Sequence, residues 1–156
     1  MEIKADDFLK KITGSYNICI DSSILIYHLE DIEPYNNLTK ILIREAANNK
    51  AACIISALTI TELLTKPYSL KEIGKIRLFE EFIRSLPNTT VKAIDYDIAR
   101  MAASIRADNN LRTPDSLMLS TAIKAGSQLF ITNDTALKKI KTDLLQIIIL
   151  DDYLET

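Results

Sequence analysis

The sequence predicts an α/β fold: a three-layer α/β/α sandwich around a mostly parallel five-stranded sheet. Three observations predict it. Short continuous apolar runs such as Ile18-Cys19-Ile20 and Ala51-Ala52-Cys53-Ile54-Ile55 suit strands covered on both faces. Segments with apolar residues at helical spacing lie between those runs. No linker, repeat or low-complexity stretch interrupts the 156 residues, so a single domain over residues 1–156 is expected.

Taken in order, Ala5 to Ile12 carries Phe8, Leu9 and Ile12 at helical spacing, and Gly14 is a natural stop. Ser15-Tyr16-Asn17-Ile18-Cys19-Ile20 reads as a buried strand ending abruptly at Asp21, Ser22 and Ser23. A serine there suits a helix start, because its side-chain oxygen accepts from free N–H groups of the first turn. A helix from Ser23 to Leu29 follows, then a break at Glu30 to Pro34. Leu38, Ile41, Leu42 and Ala46 mark the next helix, and Ala51 to Ile55 the second strand. Ser56 to Thr65 reads as loop into helix, ending before Pro67. Ser69-Leu70-Lys71-Glu72 has the pattern of a capping box, opening a helix through Ile73, Ile76, Phe79, Phe82, Ile83 and Leu86. Thr90 to Ile94 is the third strand. Asp95 is placed to cap a helix with Ile98, Met101, Ala102 and Ile105 on its inner face. Thr113-Pro114-Asp115 is a helix start, a hydroxyl cap followed by proline where its missing N–H costs nothing. That helix runs to Gly126. Gln128 to Ile131, a short helix from Thr135 to Ile140, and Leu145 to Leu150 complete the strand–helix–strand pattern.

Composition narrows the function classes. Lys and Arg number 19 against 21 Asp and Glu, a net charge of −2, so no basic surface advertises nucleic acid; a cluster of site acids can still mask a basic rim. Cys19 and Cys53 each sit inside an apolar run and read as small buried hydrophobes rather than a disulfide or metal pair. No apolar run approaches the roughly 20 residues that span a bilayer. Residues 1–7 lack a signal peptide's apolar core. The expectation is a cytoplasmic protein with no membrane span.

Four acids stand where packing does not demand them. Asp21 ends the first strand, and Asp134 follows the fourth. Glu62 lies on the helix entered directly from the second strand, and Asp115 in the first turn of the helix leading to the fourth. Open parallel sheets bind ligands at the carboxyl edge, and Asp21, Asp134 and Glu62 belong there. Asp115 is the exception: its helix precedes a strand, which is expected to start it nearer the opposite edge unless it is long or oblique. Carboxylates gathered at about 4 Å repel by about 4 kcal/mol per pair at an effective dielectric of 20. A divalent cation is the usual reason for tolerating that. His28 is the only histidine, so no zinc set is available; oxygen ligands suit magnesium or manganese, and metal-activated water attacking a phosphodiester follows. Each acid also has a plain structural reading. Asp21 and Asp134 are placed as helix N-caps, Asp115 complements a helix dipole, and Glu62 is a helix-surface residue. Asp95, Asp97, Asp151 and Asp152 lie near element ends too.

The ordered motifs Ile20-Asp21-Ser22-Ser23, Thr61-Glu62-Leu63, Leu111-Arg112-Thr113-Pro114-Asp115-Ser116-Leu117 and Ile131-Thr132-Asn133-Asp134 resemble those of PIN-domain nucleases. The closest similarity is to the VapC-type toxin ribonucleases of prokaryotic toxin–antitoxin pairs. The resemblance spans nearly the whole chain. It implies a parallel five-stranded sheet between helices, with Asp21, Glu62, Asp115 and Asp134 around one or two magnesium or manganese ions. It also implies that Ser23 and Thr132 support the acids. It implies hydrolysis of single-stranded RNA to a 5′-phosphate and a 3′-hydroxyl, dimers, and a small antitoxin partner that inserts a basic residue among the acids. Two departures stand out. Leu137 and Ile140 occupy the region where the family often has an aromatic, and residues 1–14 precede the family's usual start.

RNA requires positive charge beside the acids. Arg112 is the first candidate because it adjoins Asp115. Lys66 follows Glu62, and Lys138, Lys139 and Lys141 follow Asp134. The Leu70 to Leu86 helix reads as core, or as part of a dimer or antitoxin groove. His28 reads as surface or packing. Three rival functions remain open: a non-catalytic RNA- or protein-binding module on the same scaffold, a stand-alone RNA-processing nuclease without an antitoxin, and an aspartyl-nucleophile phosphatase. The last lacks the second aspartate two residues after Asp21.

Overall fold

The computed structural model describes residues 3–15 and 17–155; Tyr16, expected in the first strand, lies outside them, as do Met1, Glu2 and Thr156. Five strands form one sheet: β1 (Asn17–Ile20), β2 (Ala52–Ser56), β3 (Thr89–Lys92), β4 (Leu129–Thr132) and β5 (Gln146–Ile149). Their order is β3-β2-β1-β4-β5, and every pair is parallel. β1 is central, with Ile18 facing Cys53 on one side and Leu129 on the other.

The apolar runs alternate between two covered faces, as a doubly wound sheet requires. Ile18, Ile20, Cys53, Ile55, Leu129, Ile131 and Ile148 point into the larger core. That core is closed by α1 (Ala5–Thr13), α2 (Ser22–Leu29), α3 (Tyr35–Ala47), α4 (Ala57–Ser69) and α5 (Ile73–Ser85). Cys19 and Phe130 point the other way, towards Leu111, Leu137, Leu145 and the helices α6 (Tyr96–Asn109) and α7 (Thr113–Lys124). The three-layer α/β/α architecture is therefore present. Cys19 and Cys53 are buried free thiols; burial pushes both upward, Cys53 to about 12. Among the described residues no helix is long and apolar enough to cross a membrane.

Several local expectations are corrected. Asp21, not a serine, caps α2: Oδ1 accepts from the Ser22 N–H at 2.8 Å, so the helix begins one residue earlier than expected. α4 does not stop before Pro67 but carries it in its last turns and continues to Ser69. A proline so near a helix end forfeits one hydrogen bond rather than breaking the element. Ser69 is consequently no capping residue. Its hydroxyl donates back to the Lys66 carbonyl at 2.8 Å, Lys71 turns the chain at φ 54°, and α5 starts at Ile73 without a side-chain cap. Arg112, not Thr113, holds the N-cap position of α7, with Thr113 and Pro114 already helical. Asp95 does cap α6, accepting from Ile98 N–H at 2.9 Å.

The N-terminal stretch has a structural role. Phe8 and Ile12 are wholly buried, and Phe8 meets the Tyr153 ring edge-on at 5.2 Å. Lys4 N–H donates to the Tyr153 carbonyl at 2.8 Å, so the first helix and the chain's last turn clasp each other.

Candidate active site

The carboxyl edge of the sheet opens into a pocket lined by Asp21, Ser22, Ser23, Glu62, Arg112, Asp115, Asn133 and Asp134, with Ile26, Tyr27, Pro114 and Met118 between them. All four acids singled out from the sequence share it. β1 and β4 lie side by side, so their ends deliver Asp21 and the Thr132-Asn133-Asp134 turn together. Thr132, fully buried, joins the two: Oγ1 donates to Asp21 Oδ2 at 2.6 Å and accepts from Asp134 N–H at 3.1 Å. Asp134 Oδ1 in turn accepts from Ala136 N–H at 2.9 Å, capping a 3-10 turn.

Glu62 arrives on the second turn of α4, which leaves β2 from the same edge. Its Oε1 lies 3.2 Å from Ser22 Oγ, and Ser22 Oγ lies 3.0 Å from Thr59 Oγ1. An ionised carboxylate only accepts, so Ser22 donates to Glu62 and Thr59 donates to Ser22. The hydroxyl that supports an acid on this side is thus Ser22. Ser23, expected in that part, has a buried Oγ in the pocket wall with no hydrogen-bond partner among the described residues.

Asp115 corrects the expectation about its edge. A helix that feeds a parallel strand must end at the sheet's amino edge, where the strand begins, so its first turn starts at the carboxyl edge. α7 does this. Its end is bound into the amino-edge turn through Ser127 N–H to the Ala122 carbonyl, and Gln128 N–H reaches Asn17. Its middle reaches the start of α4, with Met118 Sδ 4.0 Å from Thr59 Oγ1. Asp115 then faces Arg112, whose Nε donates to Oδ2 at 3.0 Å and Nη2 to Oδ1 at 3.4 Å.

The electrostatics record the crowding. Burial raises the Asp21 carboxyl above its ordinary value; Thr132 and Ser22 oppose this, and Asp115 and Asp134 add to it. Partial desolvation raises Glu62 as well, against the Ser22 hydrogen bond, with Asp21 and Asp115 adding. Asp21 therefore caps a helix and also bears the cost of buried like charge, which a cap alone does not entail.

Other sequence candidates lie elsewhere. Lys66 is exposed on α4 outside the pocket lining, and Lys138 is paired with Asp152 at 2.7 Å. His28 packs: Nδ1 lies 3.0 Å from Thr39 Oγ1, the ring stacks on Phe82 at 5.5 Å, and burial lowers its pKa. Asn133 was not singled out from the sequence, yet it is clamped firmly. Its Nδ2 reaches Tyr27 Oη at 3.1 Å and Asp151 Oδ1 at 3.2 Å, while its Oδ1 accepts from Asp151 N–H at 2.8 Å. Tyr35 Oη also donates to Asp151 at 2.7 Å and stacks on Tyr27 at 4.3 Å. The turn sequence Thr132-Asn133-Asp134 was the available signal, since asparagine in a turn commonly bonds across it.

The donor set is entirely oxygen, which suits magnesium or manganese. Among the described residues, no three carboxylate, imidazole or thiol side chains already stand close enough to enclose one ion. Asp115 is turned onto Arg112 and Glu62 onto Ser22. Magnesium needs no complete cage: it keeps several waters and is commonly held by one or two carboxylates. The unpartnered Ser23 Oγ leaves a hydrogen bond for such a water.

Fold and pocket together define an α/β protein with an acidic, oxygen-only site at the carboxyl edge of a parallel sheet. The profile of the PIN domain matches residues 18–142, and the chain belongs to that family. The fold is shared with VapBC from Salmonella typhimurium bound to DNA, at TM-score 0.66 and 20% identity over 86% of this chain and 98% of that one. VapBC2 from Rickettsia felis bound to promoter DNA aligns at 0.65 and 16%, over 85% and 97%. A toxin–antitoxin complex from Klebsiella pneumoniae aligns at 0.62 and 20%, over 83% and 99%. No curated protein sequence matches the chain.

Proposed function

We propose that the protein is a metal-dependent endoribonuclease that hydrolyses single-stranded RNA to a 5′-phosphate and a 3′-hydroxyl. The observation that carries this reading is the meeting of Asp21, Glu62, Asp115 and Asp134 on one pocket, with Asp21 and Glu62 held above their ordinary pKa. Asp21 and Asp115 would hold one magnesium or manganese ion, and Glu62 and Asp134 would complete its surroundings or take a second. A bound divalent cation supplies Lewis acidity to the phosphodiester and lowers the pKa of the attacking water. The chain's own part is positional. Ser22 N–H and Thr132 fix the two oxygens of Asp21, Ser22 Oγ aims Glu62, and Thr132 with Asn133 sets the loop that carries Asp134.

The biological setting that fits is the toxin of a type II toxin–antitoxin pair, acting in the cytoplasm. Its support is family membership and a fold shared with the VapBC and toxin–antitoxin structures. Tyr68, Leu70, Ile73 and Leu78 are exposed apolar residues at the end of α4 and on α5, the kind of surface a second copy or an antitoxin segment covers. The stand-alone nuclease differs only in lacking that antitoxin, and the binding module differs in lacking catalysis.

Asp21→Asn is the deciding variant. The wild type is expected to cleave a single-stranded RNA in magnesium and to stop in EDTA. Asp21→Asn is expected to lose cleavage while keeping its circular dichroism spectrum. Full activity of that variant refutes the assignment, and RNA binding without cleavage by the wild type favours the binding module.

A further inference from the structure

Among the described residues lining the acidic pocket, Arg112 is the one cation. Its guanidinium grips Asp115 through two hydrogen bonds of 3.0 and 3.4 Å. The Arg112 side chain is 76% exposed and that of Asp115 only 20%, so the arginine reaches in from the rim. Asp115, then Asp134 and Glu62, raise its already high pKa, so three of the four acids act on this one group. Arg112 occupies the N-cap position of α7, where its carbonyl accepts from Ser116 N–H at 3.1 Å but its side chain makes no capping bond. Asp115, and not a helix cap, holds this side chain at the rim of the pocket.

We propose that Arg112 is an internal counter-cation that a divalent ion displaces from Asp115, and that the released guanidinium then holds an RNA phosphate at the pocket mouth. This rests on the proposed metal site. Arg112 engages both oxygens of Asp115, so an ion that ligates this carboxylate competes with at least one of the two hydrogen bonds, and the flexible, exposed cation gives way. Without an ion, the pairing relieves part of the repulsion among the four acids. With an ion bound, the planar fork is free on the rim, where its geometry matches a phosphate. One residue thereby ties substrate grip to metal loading.

The competition has a sign that a simple RNA contact lacks: removing Arg112 tightens metal binding and weakens RNA binding. Manganese alone is titrated calorimetrically into the wild type, Arg112→Gln, Arg112→Lys and Asp21→Asn. Loss of an exposed competing ion pair makes the Arg112→Gln manganese Kd about two- to fivefold tighter than wild type. Arg112→Lys falls between them. The KM of Arg112→Gln for a single-stranded RNA in saturating magnesium rises severalfold while kcat changes less. Manganese bound by the wild type and lost in Asp21→Asn establishes the metal site on its own. Given that, an equal or weaker manganese affinity in Arg112→Gln overturns the exchange and leaves the metal site standing. Absence of manganese binding in both the wild type and Arg112→Gln overturns the two together.

Discussion

Thr132 donates its hydroxyl proton to Asp21 across 2.6 Å and accepts the backbone N–H of Asp134 with the same oxygen. One buried hydroxyl therefore sets two acids that lie 113 positions apart in the chain. Thr132→Val keeps the shape and strands both partners. Leaving a buried acceptor and donor unmet costs about 1–3 kcal/mol. That lowers Tm by roughly 2–4 °C per kcal/mol in a domain of this size. Thr132→Ser retains the hydroxyl and should recover most of the loss, read by thermal melting with manganese affinity alongside. A Thr132→Val variant as stable as wild type, with unchanged manganese affinity, would count against this role.

Asp21 and Glu62 link the site to pH. Both carboxyls lie above their ordinary values of 3.8 and 4.5 in the folded protein, so the native state binds more protons than the unfolded state over the interval up to the raised values. Stability contributed by these groups is present below that interval and lost as pH rises through it. In EDTA at neutral pH, Asp21→Asn is therefore expected to melt higher than wild type, and the gap is expected to narrow as the pH falls towards 4. A lower melting temperature for Asp21→Asn at neutral pH would contradict the burial argument. A site residue that costs stability is a familiar signature of function.

Asp95 provides the contrast. It follows a strand and precedes a helix, as Asp21 does, yet it caps α6 and does not line the pocket. Asp95→Ala is expected to cost about 1 kcal/mol of stability through the lost cap. RNA cleavage per folded molecule should stay unchanged. Loss of cleavage in a folded Asp95→Ala protein would show that the pocket has been drawn around the wrong acids.

Much of this arrangement was legible in the residues. Strands covered on both faces announce themselves as apolar runs, and a carboxylate directly after one, as at Asp21, has its place fixed by the sheet. Glu62 was readable for the same reason, since α4 leaves β2 without a loop. Asp115 is readable as a site acid from its motif but not from its edge: a helix that precedes a strand suggests the opposite edge, whereas this helix must finish where β4 starts and so begins at the far edge with the other acids. Ser69 and Thr113 misled because hydroxyls cap helices only when the backbone before them is extended. At Ser69 the helix was still running, and at Thr113 it had already begun. The grip of Asn133 on Tyr27 and Asp151 depends on tertiary closure of the last strand, which no local pattern announces.

The most direct test of the central claim uses the acid that the sequence placed least well. Wild type and Asp115→Asn are incubated with a labelled single-stranded RNA in magnesium and in EDTA, and the ends of the products are identified. Magnesium-dependent cleavage leaving a 5′-phosphate, with a loss of roughly 100-fold or more in Asp115→Asn, is the expected result. Cleavage that persists in EDTA, or a folded Asp115→Asn protein with full activity, would contradict the account.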